Sequence, residues 1–199
     1  MKLASYLIAG VAVAAGLAFS GAAQAQDGAL MSSSDLYFNG TIGGSALIFS
    51  GSSNVAKTYY GVDASGEVCR ANPGGFDFCG GLNVFHTLGN GKKTTGTMTT
   101  STRVASVGGF VKARKQMEQV GIAPYVGLRR YFTQTTVTGV GATTKLTDNA
   151  NAVYGGLELD YSLVEDRVYL TMKAEVGRTF GAQTNRTTVL LSPGLKVKF

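Results

Sequence analysis

The amino-acid sequence predicts an all-β chain: an antiparallel up-and-down transmembrane β-barrel of eight strands, six of them plainly legible, behind a cleaved signal peptide. Three observations carry that expectation. Segments of strand length alternate apolar residues with polar or small ones. After residue 25 no apolar run approaches the ~20 residues of a spanning helix, so membrane residence requires a closed barrel or a surface position. The connections between alternating segments are short at one end and long at the other.

The chain opens on a processing segment. Met1 and Lys2 give a basic start, Leu3 to Phe19 is almost wholly apolar, and Ala23-Gln24-Ala25 supplies a small-x-small cleavage site. Residues 1–25 are therefore assigned to a signal peptide; a transmembrane helix is the weaker reading, because the run is short and meets that site. Residues 26–34 are small and polar and read as a disordered periplasmic leader. Residues 35–199 remain for the barrel.

The first strand alternates Leu36, Phe38, Gly40, Ile42, Gly44, Ala46 and Ile48 with Tyr37, Asn39, Thr41, Gly43 and Ser45. Residues 50–100 read as a long extracellular segment, either an excursion pinned by a Cys69–Cys79 bridge or the site of one further barrel hairpin. Val55–Val62 and Leu82–Leu88 are strand-like within it, and Gly89-Asn90-Gly91 is a turn signal. A further hairpin raises six strands to eight, the smallest usual count, since six enclose little more than packed backbone.

Alternation resumes at Arg103. Ala105, Val107, Gly109, Val111 and Ala113 face one way, and Val104, Ser106, Gly108, Phe110 and Lys112 the other. A polar turn at Lys115–Gln119 leads to Ile122, Pro124, Val126 and Leu128, alternating with Ala123, Tyr125, Gly127, Arg129 and Tyr131. Residues 135–151, rich in Thr, Gly and Asn, read as a long exposed loop. The next hairpin sets Val153, Gly155, Leu157, Leu159, Tyr161 and Leu163 against Val168, Leu170, Met172, Ala174 and Val176 on one face. Tyr154, Glu158, Asp160, Tyr169, Lys173 and Glu175 lie on the other. Pairing Leu163 with Val168 places Glu158 directly across from Lys173, a favourable cross-strand pair.

The last strand, TTVLLSPGLKVKF, alternates Val189, Leu191, Leu195, Val197 and Phe199 with Thr188, Ser192, Gly194, Lys196 and Lys198. It resembles the closing strand of bacterial outer-membrane barrels, in which a terminal aromatic residue serves as the assembly signal. That resemblance implies such a role for Leu195, Val197 and Phe199, with the barrel-assembly machinery as partner. Together with the signal segment and the strand rhythm from Leu36 onward, the chain resembles the small outer-membrane barrel family that includes the transmembrane part of OmpA-like proteins and the opacity-type surface proteins. The resemblance implies residence in the bacterial cell outer membrane and a role in membrane integrity, adhesion or host contact through external loops.

A soluble lipocalin-like barrel shows the same alternation turned inside out. Phe199, the signal segment and the turn asymmetry favour the membrane orientation, with Arg129, Glu158, Asp160, Lys173 and Glu175 forming a charge network in the lumen. Arg103, Arg130 and Arg178 stand just past apolar runs on the lipid-facing side. Arg130 is eight residues beyond Ile122, a rise of ~19 Å at ~3.4 Å per residue and ~45° tilt, near the top of a ~25 Å apolar band. Guanidinium groups there match lipopolysaccharide phosphates bidentately.

Cys69 and Cys79 are the only cysteines, ten residues apart, and an exported chain meets oxidising conditions, so a disulfide is expected. With one histidine, His86, they make no four-ligand zinc site, and neither metal nor cofactor is expected. Once Lys2 is removed, 17 basic residues face 12 acids without a Lys/Arg run longer than two, which does not point to nucleic acid. His86 lacks the neighbours that lipid A deacylases or outer-membrane proteases use, so the chain is not expected to be an enzyme. A small channel is the next alternative, and Tyr125, Arg129, Tyr131, Tyr154 and Tyr169 are expected to obstruct it.

Overall fold

The computed structural model describes residues 36–50, 58–72, 75–139, 142–165, 167–181 and 186–199. The expected signal peptide and leader lie outside the described residues. Among these residues there are nine strands: β1 Leu36–Phe49, β2 Thr58–Arg70, β3 Asp77–Thr87, β4 Gly91–Thr95, β5 Met98–Met117, β6 Val120–Gly139, β7 Ala142–Val164, β8 Val168–Phe180 and β9 Thr187–Lys198. All pairings are antiparallel: β1 to β3 and β4 to β9 pair in chain order, β9 returns to β1, and β3 pairs with β5 past the short β4. The result is a closed ring of eight strands, β1-β2-β3-β5-β6-β7-β8-β9, with β4 added beside the upper part of β5.

Closure satisfies the backbone, and alternation then decides which side chains meet which medium. Ile42, Tyr60, Leu82, Val111, Val126, Leu128, Val176 and Leu195 are exposed on the outside, while Asp63, Lys112, Arg129, Glu158 and Lys196 are buried inside. Every strand face predicted from the sequence has this orientation. A soluble barrel would reverse it, so the structure is a transmembrane barrel with an apolar exterior.

Residues 50–100 do not form one long external segment. β2 and β3 run down and back up the wall, joined by a short connection at 71–76, and they supply the additional hairpin. Gly61, Gly66, Gly80 and Gly81 interrupt the apolar rhythm here, which is why the sequence hides two full strands. The expected polar turn after Lys115 is tighter than predicted: β5 runs to Met117, β6 starts at Val120, and Glu118 takes a positive φ of 49°.

Residues 135–151 are not an irregular loop. β6 and β7 stay paired from Val120↔Tyr161 to Gly139↔Ala142, and β4, β5, β6 and β7 together form a four-stranded arm rising beyond the ring. Threonine, β-branched and suited to a pleated exposed surface, extends the strands where composition alone indicates a loop. The arm stands at the end opposite the short connections at 71–76, 118–119 and 165–167.

The β1–β9 seam that closes the ring contains a close approach. Pairing runs from Asn39↔Lys198 to Gly43↔Gly194, breaks opposite Pro193, which has no N–H to donate, and resumes at Ala46↔Leu191. Ser45 and Ser192 bridge the break through their hydroxyls at 2.8 Å. A Cβ on Gly43 would overlap the Pro193 carbonyl oxygen, whereas one on Gly44 meets nothing within 4 Å. Gly43→Val is therefore expected to cost at least ~3 kcal/mol and to remove the compact fast-migrating band on unheated gels. Gly44→Val keeps that band.

Candidate functional site: a sealed lumen and a cationic arm

Among the described residues the inward positions carry ten buried charged side chains, five acids (Asp63, Glu67, Glu158, Asp160, Glu175) and five bases (Lys112, Arg114, Arg129, Lys173, Lys196). The balance matters because an unpaired charge away from water is costly, while a paired and hydrogen-bonded one is tolerated. Glu158 is the hub. Lys112 Nζ donates to its Oε1 at 2.7 Å, Lys173 Nζ stands 3.8 Å from Oε2, and Lys196 Nζ also contacts Oε1.

From that hub the pairing spreads around the wall. Lys112 also meets Glu67 at 2.5 Å, Lys173 meets Asp63 at 3.6 Å, and Lys196 meets Asp160 at 2.6 Å. Arg114 Nε lies 3.3 Å from the same Asp160 carboxylate. Arg129 holds Glu175 with both terminal nitrogens, at 2.6 and 3.0 Å, and lies 4.5 Å from the Tyr154 ring centroid. The predicted Glu158↔Lys173 register is observed, although a bulge at the turn pairs Val164, not Leu163, with Val168.

Of the five residues assigned to the network from sequence, Glu158, Asp160 and Lys173 enter the hub and Arg129 and Glu175 form a separate pair in the same lumen, while five more charged residues join the hub. Arg114 continues the parity of Lys112 at the last position before the expected turn, beyond the alternating run that ends at Ala113. Asp63 and Glu67 lie in the glycine-interrupted strand β2. Lys112 and Lys196 have the inward parity that the sequence indicates, but their partners come from strands distant in the chain.

Toward the arm end the lumen turns apolar. Leu47, Phe49, Tyr59, Phe85, Val104, Tyr131, Ala152 and Leu190 form one buried cluster. Phe49 stands edge-on to Tyr59 and Tyr131, with centroids 5.7 and 5.5 Å apart. Below it, the gap lined by Asp63, Asn83, Tyr125, Arg129, Lys173 and Glu175 leaves room for about one water molecule. A charged layer under an aromatic layer fills the barrel.

Arg103, Arg130 and Arg178 all point outward and are exposed at the arm end. They occupy separate points. Arg130 pairs with Val107 and Asn151, Arg178 with Val153 and Thr187, and Arg103 stands four residues further along β5 opposite Gln134. Arg103 hydrogen-bonds Asn90, and Arg130 lies 5.7 Å from the Phe132 ring. On the same outward face of the arm, Lys92↔Ser101↔Thr136↔Lys145 forms one row across four strands, and Thr94↔Thr99↔Thr138↔Thr143 the row above. Asp148, opposite Thr133 on the inward face, is the one acidic residue among the described residues of the arm.

The expected disulfide is present between Cys69 and Cys79, which face each other directly across β2 and β3. Both sulfurs are committed to each other, so the adjoining Glu67 carboxylate does not complete a thiolate metal site. His86 projects outward, with Val62 and Ala105 as its cross-strand partners. At the turn end Phe199 exchanges backbone hydrogen bonds with Phe38 at 2.9 and 3.3 Å, while Leu195 and Val197 face outward.

Removing one member of the hub leaves its partners buried and uncompensated. Lys196→Met is expected to destabilise the folded barrel by ~3–5 kcal/mol in urea unfolding from lipid vesicles. The double replacement Arg129→Met with Glu175→Leu, which removes both members of an isolated pair, is expected to cost less than either single change.

No protein-family model matches the chain, and no curated protein matches it. Solved structures do. A major outer membrane protein from Thermus thermophilus is 13% identical and superposes with a TM-score of 0.59 over 81% of this chain and 99% of its own. Ail, the attachment invasion locus protein of Yersinia pestis, is 11% identical in its complex with the heparin analogue sucrose octasulfate. That match has a TM-score of 0.56 over 83% of this chain and 99% of that one. A second Ail structure gives 12% identity and a TM-score of 0.52 over 83% and 98%. At these identities the likeness carries architecture, and with the ring of eight strands it establishes that the chain has the fold of the small bacterial outer-membrane β-barrels.

Proposed function

We propose that the chain is a sealed outer-membrane surface barrel that holds a rigid cationic arm against the phosphate-bearing sugars of the outer leaflet. The observation that carries this is the segregation of charge. Inside the barrel five acids balance five bases, whereas the outward face of the arm and rim bears Lys92, Lys145, Arg103, Arg130 and Arg178 among hydroxyl and amide side chains. Cations held on strands can pair with phosphate groups, and the Thr, Ser, Gln and Asn rows offer hydrogen bonds to sugar hydroxyls. Lipopolysaccharide is the ligand source this arrangement fits in its own membrane. The anionic heparin analogue bound to Ail is of related chemistry, but the arm of the present chain, not that neighbour, supports the assignment.

Neither conduction nor catalysis is part of this function. The filled lumen supports a barrel that does not conduct. His86, the single histidine, has Val62 and Ala105 beside it and no acidic register partner. The outward Leu195, Val197 and Phe199 support recognition of the last strand by the barrel-assembly machinery during insertion.

Changing Lys92, Arg103, Arg130 and Lys145 to Gln together is expected to weaken salt-sensitive binding of lipopolysaccharide by roughly tenfold or more, from four charge-assisted contacts. Unchanged retention on an immobilised lipopolysaccharide column would overturn the proposal. In planar bilayers the purified barrel is expected to give no uniform conductance steps. His86→Ala is expected to leave the lipid A mass profile of the host unchanged.

A further inference from the structure

We propose that the Cys69–Cys79 disulfide is made before the barrel closes, by exchange with a disulfide-bearing oxidant protein met in the periplasm. The compartment follows from the outer-membrane function proposed above; the order of events follows from geometry. Cys69 is 0% exposed and Cys79 4%, and both point into the lumen rather than toward an external loop.

Their cover comes from β1 and β5, which flank the β2–β3 hairpin, and from β7 and β9, which are remote in the chain. Asn39 on β1 approaches Cys69 Sγ through its amide nitrogen at 3.4 Å. Lys112, the register partner of Cys79 on β5, is drawn across by Glu67 and Glu158. On the turn side Tyr37, the β1 partner of Cys69, donates its hydroxyl to Asp77 at 2.6 Å, and Lys198 of β9 lies 4.6 Å from the Tyr37 ring. β1 and β5 reach the hairpin by direct pairing, but Glu158 of β7 and Lys198 of β9 complete this cover only when β9 pairs with β1 and the ring is closed. The two cysteines themselves need only the local β2–β3 hairpin, in which they are direct partners ten residues apart.

Thiol–disulfide exchange requires a sulfur of the oxidant to reach the attacking thiolate. One cysteine thiolate attacks the oxidant's disulfide and expels one of its sulfurs as thiolate, leaving a mixed disulfide. The second cysteine thiolate then attacks the chain's own sulfur in that mixed bond, forms Cys69–Cys79 and releases the other oxidant sulfur. The two protons given up by the cysteines are taken up, through solvent, by the two expelled oxidant thiolates, so the oxidant leaves as a dithiol carrying the two electrons. A protein-sized reagent has no route to these sulfurs through the closed wall. The hairpin is accessible earlier.

The test compares the same full chain open and closed. The reduced chain in urea is expected to oxidise readily with a thioredoxin-fold disulfide oxidant, while the reduced chain first folded into lipid vesicles oxidises more slowly by a factor of about a hundred, counted as free thiols by mass after alkylation. A reduced chain that cannot fold would give the same order, because closure would then require the bond. A second arm does not depend on that outcome: the oxidised folded barrel is treated with a phosphine reductant, and its disulfide is expected to survive conditions that reduce it in urea. Equal oxidation or reduction rates in the folded and unfolded chain would overturn the proposal.

Discussion

Glu158, held by lysines from β5, β8 and β9, is the interaction on which the structure depends. A lipid-facing exterior obliges every second side chain to point inward, and ten of those inward side chains are charged. They are tolerated because each carboxylate finds a cation on another strand, and Glu158 ties three parts of the wall at once. With the lumen neutral and filled, the barrel can act as a rigid support whose chemistry is displaced to the rim and arm.

Much of this was legible as parity. Once Leu157, Leu159 and Tyr161 face lipid, Glu158 and Asp160 must face inward, and a short turn fixes Lys173 opposite Glu158 even though Leu163 bulges out of register. The sequence conceals what depends on distant strands. Lys112 and Lys196 have readable orientation, but nothing local tells that they share one carboxylate. β2 and β3 are obscured because glycine suits the tight curvature of a small barrel while diluting the apolar signal. The arm was hidden by composition, since Thr-rich stretches read as loop but pair well as exposed strands.

The arm also changes the meaning of the three arginines. Read from sequence they mark one level at the top of an apolar band; in the structure Arg103 climbs onto the arm, while Arg130 and Arg178 remain nearer the rim. Lys92 and Lys145 extend the same outward face, although neither follows an apolar run and neither was singled out by pattern. Local alternation finds a lipid boundary well, but a surface assembled across four strands is defined by register.

The central claim, that the alternation is apolar outside and ionic inside, is tested most directly by nitroxide spin labels placed singly at Val126, Leu157 and Leu195 of the barrel in lipid bilayers. The expected result is relaxation dominated by lipid-soluble oxygen at all three sites, with a water-soluble nickel complex effective only at a label on Lys145 of the arm. Nickel access at the three wall sites equal to that at Lys145 would contradict it.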